Sequence, residues 1–121
     1  MRTALFSIGI LFAAAAHAGT LEKCQAKGKN PDSIQNCIDT ERSHSTNRLR
    51  EMGPLVLDAI HKETNGTRHK ALLRAYRSAQ AHHVRERAIA CKKEAAGNER
   101  NACEADMNYA HIEQLARFLN N

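Results

Sequence analysis

The chain contains no tryptophan, and among its 121 residues there are only three phenylalanines and two tyrosines. Two of those phenylalanines, Phe6 and Phe12, fall in the apolar N-terminal stretch, so the rest of the chain has only Tyr76, Tyr109 and Phe118 for large aromatic packing. A domain this small and this poor in aromatics buries a limited share of its unfolded surface and usually needs covalent staples. No apolar run reaches the roughly 20 residues of a membrane span, which excludes a spanning helix. Nothing alternates with the period of a strand, and no internal repeat or low-complexity segment is evident. Catalytic signatures are missing as well. No serine sits in a nucleophile elbow, no glycine-rich loop follows a strand, and no carboxylate pair is marked by an apolar pocket sequence. The cluster Glu94, Glu99, Glu104 and Asp106 reads as solvated charge near helix ends. A non-enzymatic protein without a cofactor is expected.

What is present begins with a leader. Arg2 supplies a positive start, residues 4–16 are apolar, and Ala16-His17-Ala18 has the small-x-small pattern of a signal-peptidase site. Cleavage is expected after Ala18, leaving one domain over 19–121 in the periplasm or outside the cell. No cysteine directly follows the apolar run, so a lipid anchor is not expected. Removing residues 1–18 takes away Arg2 and no acid, which leaves 17 Lys+Arg against 13 Asp+Glu, a formal +4. Inside a cell such a balance would suggest nucleic acid. For an exported chain the available partners are envelope proteins, peptidoglycan and anionic membrane surfaces.

Four cysteines, Cys24, Cys37, Cys91 and Cys103, form an even set, which in an exported chain reads as a disulfide framework. Cys91 lies six residues before Gly97 and Cys103 six after it. An antiparallel helical hairpin turning at Gly97-Asn98 sets these two thiols opposite each other, so Cys91–Cys103 is expected and Cys24–Cys37 follows by exclusion. The spacing contains no close Cys-x-x-Cys pair and no His-x-x-x-His pair on a helix, so no metal site is expected. His44, His61, His69, His82, His83 and His111 remain as scattered imidazoles. His82 and His83 diverge by about 100° on a helix, while His111 can meet His83 across the hairpin.

Helical punctuation gives an all-α, disulfide-stapled antiparallel bundle of three to four helices. Residues 19–30 read as coil tied down by Cys24. Asn30-Pro31 opens a helix, with Ile34, Cys37, Ile38, Leu49 and Met52 on one stripe that is weakest around 43–46. Gly53-Pro54 interrupts it, and Pro54 opens a second segment ended by Asn65-Gly66. A long helix then runs from a Thr67 cap to about Ala96. Its inner stripe is Leu72, Leu73, Tyr76, Ala79, Gln80, His83, Val84, Arg87, Ala88 and Cys91, and Arg74, Arg77, Arg85, Lys92 and Lys93 lie outside. The last helix, capped by Asn98 or Asn101, turns Cys103, Met107, Ala110, Gln114 and Phe118 inward. Arg87 on an inner stripe needs a partner, and Glu41, on the inner side of the first helix, is the expected one.

The second half resembles the LprI-type lysozyme inhibitor family of bacterial envelope proteins. Leu72, Leu73, Gln80, Arg87, Cys91, Cys103 and Leu115 carry the likeness. They match an aliphatic position, Gln-x-x-Trp, Arg-Asp-x-x-Cys at the end of a long helix, a second Cys, and a final amphipathic helix. The Cys24/Cys37 pair followed by Glu41 resembles the family's entry. His83 stands in place of the Trp, and Ala88 in place of the Asp. The stretch 46–53 keeps little of the family's first-helix signature. The resemblance implies a structural role for Gln80, His83, Arg87 and Glu41, and inhibition of a lysozyme-type glycoside hydrolase by covering its cleft. Strongly basic lysozymes would repel this basic chain on approach, so a less basic muramidase fits the charge better. The alternative expectation is a scaffold or stress protein of the envelope that binds anionic wall or membrane surfaces.

Overall fold

A computed structural model describes residues 19–120; the expected leader lies outside the described residues. Four helices follow one another: α1 (Thr20–Lys27), α2 (Pro31–His61), α3 (Gly66–Lys92) and α4 (Asn98–Leu119). The fold is all-α, as expected, and none of these helices is long and apolar enough to cross a membrane. The Cys24–Cys37 and Cys91–Cys103 disulfides are both formed, with Cα atoms 5.6 and 5.5 Å apart.

The helix count is met by different segments from those expected. Residues 19–30 are not coil. Most of them form α1, an eight-residue helix too short to persist alone. Its support is tertiary. Cys24 is fully buried and bonded to Cys37, and Asp106 reaches across from α4 to cap the helix start. Its Oδ1 accepts from the Thr20 backbone N–H at 2.9 Å and from the Thr20 hydroxyl at 2.7 Å. A carboxylate at a helix N-terminus satisfies an orphan N–H and complements the dipole. The turn into α2 requires Gly28, because a Cβ there would lie 2.4 Å from the Ile34 side chain.

Gly53-Pro54 does not break α2 either. The helix runs unbroken for 31 residues, about 45 Å. Proline removes one ladder hydrogen bond. On this helix, though, Met52, Val56 and Ile60 are buried against Tyr76 and Leu115, and that burial on both sides of Pro54 outweighs the local preference to stop. At its start, Asn30 and Ser33 form a reciprocal capping box, with Ser33 N–H donating to Asn30 Oδ1 at 2.9 Å. Asn65, and not Thr67, caps α3 by accepting from Arg68 N–H at 3.0 Å. Helix α3 stops at Lys92, short of the expected Ala96, and Gly97 with φ 99° leads into α4. Only glycine takes that backbone conformation without strain.

Helix α4 packs along α2 more extensively than along α3, and α3 touches α2 only lightly. This rotates the buried face of α4 from the expected line. Ala102, Ala105, Asn108, His111 and Leu115 are buried, whereas Ala110 and Gln114 are exposed. On α3 the expected stripe holds at Tyr76, His83 and Cys91, but Val84 is 60% exposed and Ala88 is exposed too.

Candidate functional site

Two apolar clusters form the core, and they do not merge. One gathers Met52, Val56, Ile60, Tyr76 and Leu115, with Phe118 edge-on to Tyr76 at 6.1 Å. The other, near the disulfides, gathers Cys24, Ile38 and Ala102. Along each long helix a polar stretch separates the two: Ser45 on α2; Gln80, His83 and Arg87 on α3; Asn108 and His111 on α4. These side chains join into one layer across the bundle.

Asn108, 1% exposed, is its centre. Its Nδ2 donates to Ser45 Oγ at 3.1 Å, and its Oδ1 accepts from Arg87 Nη1 at 2.9 Å. Ser45, fully buried, returns its own proton to the Arg42 carbonyl at 2.8 Å. Beside this chain the His83 and His111 rings stack at 4.1 Å, 5° from parallel. His111 Nε2 bonds Gln80 Oε1, and its Nδ1 lies 3.1 Å from Gln114 Oε1. Gln80 then donates its Nε2 to Tyr76 Oη at 3.0 Å, tying the layer to the first apolar cluster. His83 Nε2 is buried without a partner among the described residues. Burial first, then the facing His111 and the Arg87 charge, push the His83 pKa down to about 4, with Asn108 offsetting part of the effect. Burial also lowers His111, against the hydrogen bond its ring donates to Gln114.

Gln80, His83 and Arg87 are therefore brought together, and His83 meets His111 as the hairpin geometry suggests. Glu41 is not with them. The expected Arg87–Glu41 pair is replaced by Arg87–Asn108, a charge bonded to a neutral amide. Glu41 faces α1 and the other side of α4. There it accepts from Lys23 Nζ at 2.6 Å and from the Tyr109 hydroxyl at 2.5 Å. The Lys23 ammonium, then the Tyr109 hydroxyl, hold its carboxyl below the usual range. Burial first and then the Glu41 carboxylate raise Tyr109 in turn. Asn108 was absent from the expected inner face because a polar residue does not mark a stripe, yet it sits three and seven residues from the buried Ala105 and Leu115. Asn108→Ala should cost about 1.5 kcal/mol, since it strands the Ser45 hydroxyl and the Arg87 guanidinium. Urea unfolding of the variant measures it.

Glu41 and Tyr109 also line a polar cleft of about 520 Å³ between α1, α2 and α4. Tyr109 and Ile112 give it an apolar patch. Lys23, Arg48 and Asp106 ring it with charges of both signs, and His44 adds an imidazole. His44 lies near the Tyr109 ring, with centroids 6.3 Å apart. Among the described residues no group of three or more His, Cys, Asp or Glu is arranged to hold a metal ion. No protein-family model, curated protein or solved structure matches the chain.

Proposed function

We propose that this is an exported binding protein that inhibits a peptidoglycan-cleaving muramidase by occluding it, as the resemblance to LprI-type inhibitors implies. The reading is supported by where the residues that carry the resemblance lie. Leu72, Leu73 and Leu115 pack in the first apolar cluster, Gln80 and Arg87 are held in the polar layer, and Cys91 and Cys103 are bridged. All seven build the frame. The outer surface is left to meet a partner, and the α1–α2–α4 cleft is the part best suited to it. A ring of polar and charged groups around Tyr109 and Ile112 has the composition of an interface anchor with a wettable rim.

The test is clearance of a cell-wall suspension by a panel of muramidases, acidic to basic, with and without the oxidised protein. Stoichiometric inhibition of at least one enzyme is expected, strongest among the less basic ones. His44→Ala with Arg48→Ala, both exposed on the cleft rim, should weaken that inhibition by roughly tenfold or more while leaving the melting temperature unchanged. Failure to inhibit any enzyme in the panel overturns the proposal.

A further inference from the structure

Helix α3 is electrostatically one-sided. It carries seven Lys+Arg (Arg68, Lys70, Arg74, Arg77, Arg85, Arg87 and Lys92) against one acid, Glu86. All but Arg87 are exposed, and Arg68 is paired with Glu63, which leaves Lys70, Arg74, Arg77, Arg85 and Lys92. At about 100° per residue they fall within an arc of about 80°, in a straight row about 33 Å long. None of the five is in an ion pair with a described residue; the ion pairs among the described residues use Lys23, Arg42, Lys62 and Arg68. Glu86 sits on the flank, away from the row, and is half-buried.

Two apolar side chains lie on either edge of this row, Val84 at 60% and Ile89 at 50% exposure. Ala81 and Ala88, also exposed, fill the row between the cations. A self-contained solvated helix face gains nothing from bare valine and isoleucine among unpaired cations. A flat, anionic, partly apolar surface gains from all of them. Cations settle against phosphate groups while short apolar side chains reach the boundary beneath. The groove beside the C-terminal part of the row, about 450 Å³ and lined by Val84, Arg87, Ala88, Lys92 and Glu104, already carries a carboxylate of this chain, so a planar anionic partner that spans the whole row fits better than an acidic knob seated in that groove.

We propose that the outer face of α3 lays the protein along an anionic phospholipid bilayer, with Lys70, Arg74, Arg77, Arg85 and Lys92 against the phosphate headgroups and Val84 and Ile89 at the headgroup–acyl boundary. This stands independently of muramidase inhibition, because the cleft between α1, α2 and α4 is built from other elements.

The experiment is co-sedimentation of the oxidised, exported protein with vesicles of phosphatidylcholine alone or with about one quarter phosphatidylglycerol. Binding is expected only to the anionic vesicles. It should weaken steeply as ionic strength rises from about 0.05 to about 0.5 M. The fourfold variant Arg74→Gln, Arg77→Gln, Arg85→Gln, Lys92→Gln changes exposed side chains only and should keep the melting temperature. It should lose roughly 100-fold or more in vesicle affinity. Val84→Ser with Ile89→Ser should lose a smaller factor that salt does not restore. Equal binding to neutral vesicles, no binding to either, or an unweakened fourfold variant each overturns the proposal. Since the fourfold variant keeps the cleft, its muramidase inhibition should be intact, which separates this proposal from the previous one.

Discussion

Replacing Cys91 and Cys103 together by serine is expected to lower the stability of the oxidised protein by about 3 kcal/mol, and full reduction of both bridges to unfold it. The bridge joins residues 12 apart and constrains the unfolded chain over that loop; a closed loop of this size accounts for about 3 kcal/mol in the chain-entropy treatment. For a domain of about 100 residues that corresponds to a fall in Tm of roughly 12–20 °C. Two local features amplify the dependence. Helix α3 has few contacts with α2, so its register is fixed mainly through α4, and the Cys91–Cys103 bridge is where α3 and α4 are tied next to their turn. The Arg100 guanidinium then covers the end of α3, donating Nη2 to the Glu94 carbonyl at 3.2 Å, a bond that exists only while the turn is closed. Losing Cys24–Cys37 would act differently. It frees α1, whose eight residues have no independent stability, and leaves Ala102 and Ile38 without their cover. Thermal melts followed by circular dichroism, with and without reductant and for each pairwise serine variant, resolve the two contributions. A reduced chain that melted at the oxidised temperature would show that the helices hold without sulfur.

The frame was legible because its signals are local or symmetric. Asn30-Pro31 opens α2 where expected, Gly97 turns the hairpin, and six residues on either side of it bring Cys91 to Cys103. What could not be read depends on contacts between distant segments. Residues 20–27 carry no strong helical pattern, and their helix exists because Asp106, 86 positions away from Thr20, caps it. Pro54 is a breaker by every local rule, and only the burial of Met52 and Val56 on either side of it keeps α2 whole. The missed pairing has the same origin. An inner-facing arginine calls for a carboxylate on electrostatic grounds, and Glu41 was the acid on the facing helix. The half-buried Arg87 finds an amide oxygen in a connected network instead, while Glu41 is drawn to Lys23 and Tyr109. The weak stretch of the α2 stripe around 43–46 was the visible trace of this layer. The stripe fades there because its inward residue is Ser45, and Ser45 belongs to the polar network.

That network makes the protein sensitive to acid. His83 and His111 both have folded-state pKa values below the ordinary 6.5, His83 at about 4. Below pH 6.5 the unfolded chain therefore binds protons that the folded one refuses. Stability conferred by the neutral pair is full above about pH 6.5, and it drains as pH falls toward 4. The groups around the stack carry both signs of charge. Arg87 adds positive charge from α3 and Arg50 from α2, and the opposite opening holds Glu86 beside a second imidazole, His82. Both grooves, each near 300 Å³, open to solvent, and solvent screening holds the expected loss between pH 7 and pH 4 to about 2 kcal/mol, less than the unscreened shift would give. Glu41 adds a later loss in the same direction. Its carboxyl is held below 4.5, so its contribution drains only as pH falls beneath that value. The two windows separate by mutation. His83→Phe keeps a ring to stack on His111, removes the buried nitrogen that has no partner, and cannot charge. Its urea midpoint should match the native protein's at pH 7 to within about 1 kcal/mol. By pH 5 the variant should be the more stable of the two, and below pH 4.5 both should fall together as Glu41 protonates. Parallel pH profiles over the whole range would show that the stacked imidazoles carry no proton linkage, and the acid sensitivity would then belong to Glu41 and the other carboxylates alone.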